Sequence, residues 1–235
     1  MRRFARTATV ATALGAAAMI SPAVATAAPD TGSLGGGQCA EISAENQPNG
    51  WGNTAPDEQG QAGTYSTDNV LDTDGSLELK TDAQNPRKAS YHSAGRVKFS
   101  EIVDTPLIFQ SKGGNANWQI RSTGADTGEG NGFVTFVWSA NAEAAGERNA
   151  TNSDQWWATR DLGEDLPRGT RGTLQELSAA AGANTVVDDY GISSQPGSAG
   201  DTVHVDNVTF NGCTTNFAKT APNAGFGSLD NVLPF

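Results

Sequence analysis

The sequence is poor in histidine, cysteine and basic residues. Two histidines in 235 residues exclude a metal site built from three histidines, and two cysteines without neighbouring histidines do not make a cysteine-rich zinc site. Fifteen lysines and arginines stand against 26 acidic residues, which gives a net charge of -11. A chain this acidic does not attract a phosphate backbone, so we expect no nucleic-acid partner.

The sequence also lacks a hydrophobic run long enough to span a bilayer, so we expect no membrane span. Its first segment carries Arg2, Arg3 and Arg6, then a short apolar run and small residues near Ala25. This order predicts a secretory signal peptide over residues 1–27 and a secreted, extracellular protein. Removing the three arginines takes the net charge from -11 to -14.

Both cysteines, Cys39 and Cys213, lie in the part of the chain that export would carry outside. In an oxidising compartment this favours one disulfide between them over free or intermolecular thiols. The bridge would tie the first segment of a domain to its last strand. We predict a flexible lead-in over 28–37, one monomeric domain over 38–218, and a tail over 219–235 that is interrupted by proline and glycine.

Motifs of hydrolytic enzymes are missing. The sequence has no G-x-S-x-G nucleophile elbow and no Glu-x-Asp-x-x-Glu strand. The adjacent pairs Glu164-Asp165 and Asp188-Asp189 would point to opposite sides of a strand. His92 and His204 are interpreted as surface or sheet residues. We therefore expect a protein without catalytic activity; a glycoside hydrolase would need two carboxylates to converge on a cleft from distant strands.

Strand signals, in contrast, are frequent, and only one helix is indicated. Thr173 and Glu176 have the spacing of a capping box, and Gly182 stands where a helix would end. Eight to ten short strands with one short helix predict an all-β fold, an antiparallel two-sheet sandwich of the jelly-roll type. The strand predictions fall at 76–81, 96–103, 117–122, 132–140, 154–162, 183–194 and 201–210.

The last of these strands changes phase. In "TVHVDNVTF", Val203 and Val205 lie on one face, whereas Val208 and Phe210 continue on the other. An extra residue must enter the strand, which predicts a β-bulge at Asp206-Asn207. Asp206 would then either bond to the local backbone or serve as a ligand of a buried cation. A second acidic group, Asp68, Asp72 and Asp74, is interpreted as a hairpin turn.

The same ending, "VDNVTFNGCTTNF", resembles the last strand of secreted jelly-roll domains, including carbohydrate-binding modules of bacterial polysaccharide-degrading enzymes. Residues 132–217 are similar to secreted actinobacterial domains of this type with no assigned function. The resemblance implies a structural calcium ion held by Asp206 and by acidic residues near the first strand. Glu41 and Glu45 are the candidates for that role.

Tryptophan gives the strongest indication of a ligand. Trp118 and Trp138 fall on the apolar side of their strands and are expected in the core. In the pair Trp156-Trp157 one side chain must face outward if both lie in a strand. An exposed indole can stack on a sugar ring, so the sequence predicts binding of a polysaccharide or cell-wall component. The alternatives are an indole covered by a loop or the helix, and a structural or interaction protein of the cell envelope.

Overall fold

Alternating apolar and polar residues build the β-strands of this chain. The computed structural model describes residues 42–53, 55–58, 60–141, 143–194 and 200–222. The strands are β1 (Ile42–Ala44), β2 (Thr64–Ser66), β3 (Ser76–Lys80), β4 (Ala89–Lys98), β5 (Ile108–Lys112), β6 (Asn115–Thr123), β7 (Val134–Asn141), β8 (Gly146–Asn149), β9 (Trp156–Ala158), β10 (Arg171–Gly172), β11 (Val186–Ser194), β12 (Thr202–Phe210) and β13 (Cys213–Ala218).

The strands form two sheets, which confirms the predicted all-β sandwich. The first is seven-stranded: β1, β13, β12, β3 and β2 lie in that order, β5 pairs with β12, and β8 pairs with β5. The second is six-stranded, in the order β10-β9-β7-β6-β11-β4. β1 runs parallel to β13. The other strand pairs of the described residues are antiparallel.

Aromatic side chains fill the space between the two sheets. Tyr190 of β11 stacks on Phe210 of β12, with ring centroids 4.0 Å apart, and so joins one sheet to the other. Phe109 of β5 meets Trp118 of β6 edge to face at 5.9 Å. Trp118 is fully buried, as the alternation of its strand predicted. Trp138 packs against the same core but is only partly buried.

The predicted β-bulge is present in β12. The pairing of β12 with β5 shifts register between Asp206 and Thr209, and Asn207 has a φ of 46°. Asparagine accepts this left-handed conformation more readily than most residues. On its other edge, β12 pairs with β3 through residues 202–205 and with β13 through residues 208–210. The bulge thus lies where β12 exchanges one neighbour for another.

The predicted helix is α2 (Leu174–Ala181), with a complete capping box between Thr173 and Glu176 and with Gly182 at its end. The strand predicted over 96–103 is wrong in its second half. β4 ends at Lys98, and α1 (Phe99–Ile102) forms one helical turn. Phe99 and Ile102 are both buried, which a helical spacing of three achieves and a strand does not. None of the described helices is long and apolar enough to cross a membrane.

Candidate functional site

The outer face of the six-stranded sheet carries a line of strand-paired residues, here named the transverse row. Trp157 and Arg171 are its more accessible members, whereas the other four are buried. Strand pairing places one residue from each strand opposite the next. With strands about 4.8 Å apart, the row is about 24 Å long. Its members are Arg171, Trp157, Val137, Gln119, Gly191 and Tyr91.

Trp157 is the outward tryptophan of its pair. Trp156 is fully buried in the core, and its indole N–H donates to the carbonyl of Ala150 at 3.0 Å. Trp157 points to the opposite side of β9 and is only partly buried. Its strand neighbours on the row are Val137 and Arg171. The alternation of a strand predicted that one of the two indoles would face outward, and the structure shows which one.

At the other end of the row, a short turn of 3-10 helix, Pro56–Glu58, brings acidic side chains to the face. The segment that carries this turn pairs with the edge of β4: Tyr91 and Gly52 exchange two backbone hydrogen bonds, and the amide of Ala89 donates to the carbonyl of Gln61. The segment is therefore fixed to the sheet on both sides of the turn.

Four side chains form the Glu58 cluster at this end: Glu58, Arg87, Tyr91 and Arg121. The carboxylate of Glu58, which is 3% exposed, lies 2.8 Å from a guanidinium nitrogen of Arg87 and 3.0 Å from one of Arg121. The Tyr91 hydroxyl donates to the same carboxylate at 3.0 Å. Burial raises the pKa of Tyr91, so its phenol stays protonated and remains a donor.

Gly191 allows the Tyr91 ring to lie against the sheet. A Cβ at this position would stand 2.0 Å from the carbonyl oxygen of Ser90 and 2.7 Å from Cδ1 of Tyr91. A larger residue would therefore have to displace the ring that forms one end of the row. The guanidinium of Arg121 lies 5.3 Å from the centre of this ring, which is a cation–π distance.

A cavity of about 490 Å³ opens beside the Glu58 cluster. Its volume falls within the range of small-ligand pockets. Trp51 and Tyr91 contribute aromatic surface, and Arg121 and Asp189 contribute charge. Burial raises the pKa of Asp189, with the neighbouring Arg121 acting in the opposite direction. The cavity thus combines apolar walls with a few polar groups.

A separate group of acidic residues surrounds the bulge; we name Asp72, Asp74 and Asp206 the aspartate cluster. Each offers one oxygen atom, and these atoms lie within 4.8 Å of one another. Asp206 is fully buried, and its Oδ1 accepts the backbone N–H groups of Asn207 at 2.7 Å and Phe217 at 2.8 Å. The sequence left two roles open for Asp206, and the structure is compatible with both. Asp206 bonds to the local backbone, and it also lies in a group that could hold a cation.

The cluster leaves buried oxygens without hydrogen-bond partners. Oδ1 of Asp72 and Oδ1 of Asn216 are both buried and unpaired, whereas Nδ2 of Asn216 donates to Asp74 at 3.0 Å. Burial and, to a smaller extent, the nearby Asp72 raise the pKa of Asp206 to about 7, against the opposing effect of its backbone hydrogen bonds. Burial and Asp72 likewise raise the pKa of Asp74. Three carboxylates and an orphaned amide oxygen are the hard oxygen donors that Ca²⁺ takes.

Of the two other calcium candidates, Glu45 lies away from the aspartate cluster. The carboxylate of Glu45 is exposed and forms an ion pair with Lys219 at 2.7 Å, and Glu45 is not among the grouped ligands of the described residues. Glu41 lies outside the described residues, as do Cys39 and the predicted signal peptide. No described cysteine is a free thiol. The Cys39–Cys213 disulfide stays a prediction.

A pH dependence follows from the raised pKa of Asp206. In the calcium-free protein the folded state holds a proton on Asp206 between pH 3.8 and about 7, where the unfolded state has lost it, so stability falls as the pH rises through this window. A cation that binds Asp206 would have to displace that proton. We expect calcium affinity to rise from about pH 6 to about pH 8. The number of protons released on binding should decrease as the pH rises above the pKa of Asp206.

Isothermal titration calorimetry in buffers of different ionisation enthalpy counts the released protons. An affinity that does not change with pH and shows no proton release would contradict a protonated Asp206 in the calcium-free protein.

Neither the Glu58 cluster nor the proximity of Asp72 and Asp74 to Asp206 was predicted from the sequence. One signal for the first was present: in "NWQIRS" the polar residues Asn117, Gln119 and Arg121 alternate with buried apolar ones. A long side chain such as Arg121 on the outer face of a central strand indicates that something polar lies above it. The sequence does not show which segment supplies that group.

Comparison with known proteins does not assign the chain to a family. No protein-family model matches the chain, and no curated protein matches it. One solved structure with detectable similarity is titled "Structural analysis of an exo-beta-agarase". The match has 13% sequence identity and a TM-score of 0.39, and it covers 74% of this chain. It covers 25% of the other, so the chain spans about a quarter of that structure.

Proposed function

We propose that this protein is exported and binds carbohydrate, a polysaccharide or cell-wall polymer, on the outer face of its six-stranded sheet, without catalysing a reaction. The observation that carries the proposal is the transverse row, which joins the outward indole of Trp157 to the cavity beside Tyr91. An indole offers a flat apolar face to a sugar ring. The accessible parts of the row are Trp157 and Arg171 at one end and the cavity at the other, and these are the contacts that it offers to a polymer.

The charges at this site favour an uncharged sugar. Both arginines of the Glu58 cluster are already paired: Arg87 with Glu58, and Arg121 with Glu58 and Asp57. Asp189 adds a further carboxylate to the cavity wall. An anionic polysaccharide would meet no uncompensated positive charge in this cluster, and a single guanidinium without an ion pair among the described residues, Arg171, at the other end of the row. We therefore expect neutral glycans to bind in preference to sulfated or uronic-acid glycans.

The same pairing argues against hydrolysis. A general acid needs a carboxyl group that can hold a proton near neutral pH, and a general base needs a free lone pair. The Glu58 carboxylate is occupied by two guanidinium groups and a phenol. Asp189 alone does not supply the pair of carboxylates that a glycosidase uses.

We further propose that calcium is a structural ion of this protein, bound by Asp72, Asp74 and Asp206, and not by Glu45. The amide oxygen of Asn216 would add a fourth ligand. These residues come from the loop before β3, from the bulge of β12 and from β13. The ion would therefore join three segments on the seven-stranded sheet, away from the transverse row.

Binding of the purified protein to a panel of neutral, sulfated and uronic-acid polysaccharides and to cell-wall fractions tests the proposal. We expect retention by at least one neutral polymer, and a loss of about tenfold or more in affinity in Trp157→Ala, because a stacking contact of about 1.5 kcal/mol is removed. Thermal unfolding should change little, since Trp157 is not part of the core.

Leu71→Ala is the matched control, because Leu71 is an exposed apolar side chain in the loop between β2 and β3, which belong to the other sheet. It should bind as the unchanged protein does. If no glycan binds, or if both variants bind equally, the carbohydrate proposal is wrong, and a structural or interaction protein of the cell envelope becomes the better account.

A further inference from the structure

A second group of metal-ligating side chains lies near the aspartate cluster. We name Asp68, Glu78 and His204 the histidine cluster. Glu78 and His204 face each other across β3 and β12, and Asp68 reaches them from the loop between β2 and β3. One ligand atom from each lies within 4.8 Å of the others. Unlike the aspartate cluster, this group contains an imidazole.

Hydrogen bonds fix how the imidazole of His204 is oriented. The Ser76 hydroxyl donates its proton to the carbonyl oxygen of Asp68 at 2.5 Å. The same hydroxyl oxygen lies 3.2 Å from Nδ1 of His204, so it can only accept there, and Nδ1 must carry the proton. A neutral imidazole held in this way presents its Nε2 lone pair on the other side of the ring.

The Nε2 lone pair points into the cluster without a donor. His204 is 9% exposed, and Nε2 lies 3.7 Å from the Oδ2 atom of Asp68, which is too long for a hydrogen bond. Both atoms are acceptors when the imidazole is neutral. Among the described residues, none donates a hydrogen bond to Nε2. The side chain of His204 is 11% exposed, and its Nε2 atom faces two carboxylates without a donor among the described residues, as a metal ligand would.

The charges around the cluster also suit a cation. Asp68 and Glu78 bring two negative charges, and Lys112, which faces His204 from β5, brings one positive charge. The group thus keeps one net negative charge. Glu78 accepts a hydrogen bond from Thr64 at 3.4 Å, which leaves its second oxygen for another partner.

We propose that Asp68, Glu78 and His204 bind a divalent transition-metal ion, zinc in the first place, at a site distinct from the aspartate cluster. One imidazole nitrogen and two carboxylate oxygens form a mixed donor set that zinc takes, whereas calcium takes oxygen ligands only. In a tetrahedral zinc site the ligand atoms are about 3.4 Å apart, so the 3.7 Å between Nε2 and Oδ2 needs only a small closure. The fourth position is left for water.

The histidine of this site has the outer contact that metal-bound histidines usually have. Such histidines donate their second ring N–H to an oxygen, which fixes the tautomer and the ring orientation. Ser76 provides this contact for His204. Since Asp68 and Asp72 belong to the same loop, zinc and calcium would hold that loop at two points.

Titration of the purified protein with Zn²⁺ in saturating Ca²⁺, followed by calorimetry, tests this assignment. We expect one zinc ion per chain, a loss of zinc binding in His204→Gln, and a loss of at least about tenfold in affinity in Ser76→Ala. Asp68→Asn should leave the fold intact, because the side chain of Asp68 is 66% exposed. It should also lose at least about tenfold in affinity.

Two variants separate this site from its surroundings. Glu45→Gln removes a carboxylate from an exposed ion pair with Lys219 and should leave zinc affinity unchanged, whereas Lys112→Ala removes a neighbouring positive charge and should raise zinc affinity. The assignment is overturned if the protein binds no zinc, or if His204→Gln and Asp68→Asn both bind it as the unchanged protein does.

Discussion

Calcium is expected to raise the free energy of unfolding of this protein, by about 2.7 kcal/mol at a concentration one hundred times its dissociation constant. The reason is the aspartate cluster, in which Asp72 and Asp206 would otherwise crowd negative charge around buried oxygens. Asp72→Asn should abolish this response. In the presence of a chelator, the same variant should be more stable than the unchanged protein, because it removes one of three repelling carboxylates. Urea unfolding in calcium and in chelator measures all four values.

A calcium site predicts that Asp72→Asn is less stable than the unchanged protein in calcium but more stable in chelator. A structural hydrogen-bond network predicts no such reversal. Glu45→Gln is the matched control: it also removes one carboxylate, but from an exposed ion pair with Lys219. It should keep the full calcium response. Loss of the response in Glu45→Gln, or its survival in Asp72→Asn, would favour the ligand set implied by the resemblance to carbohydrate-binding modules.

Arg121→Met is expected to destabilise the protein by about 3 kcal/mol or more, because it breaks a buried ion pair and leaves charge behind. The side chain of Arg121 is 10% exposed and that of Glu58 is 4% exposed. Glu58 keeps Arg87, but Asp57 loses its ion-pair partner. The free energy of unfolding from urea titration, at saturating calcium, gives the effect.

Arg96→Met provides the comparison with an exposed pair. Arg96 forms an ion pair with Asp188, and the side chain of Arg96 is 67% exposed, so its loss should cost less than about 1 kcal/mol. Combining Arg121→Met with Glu58→Gln in a double-mutant cycle isolates the interaction between the two residues. If Arg121→Met and Arg96→Met have equal effects, the Glu58 cluster does not stabilise the outer face.

Local patterns predicted the local features of this fold. The capping box at Thr173 and Glu176, the bulge at Asp206-Asn207 and the opposite orientations of Trp156 and Trp157 all follow from spacing along a few residues. Strands with too few residues to show alternation, such as β1 and β10, were missed. The sequence around Phe99 is compatible with a strand and with a helix. In the structure it forms a helical turn, which buries both Phe99 and Ile102.

The candidate sites could not be predicted in the same way, because their members are far apart in the chain. Glu58 and Arg121 are 63 residues apart, and the hydrogen bond between Asn207 and Asp72 spans 135 residues. Asp72 stands in a turn-like segment, and a turn is what its neighbours indicate. Only the pairing of β12 with its neighbours brings that segment to the bulge.

The most direct test of the carbohydrate-binding face uses the indole N–H resonances of the five tryptophans in a ¹⁵N-labelled sample, with and without a bound glycan. Trp157 lies on the transverse row and Trp51 lines the cavity, whereas Trp118 and Trp156 are fully buried in the core. We expect the glycan to shift the Trp157 resonance most, the Trp51 resonance next, and the two core resonances least. A glycan that binds without moving the Trp157 resonance would contradict the assignment of this face.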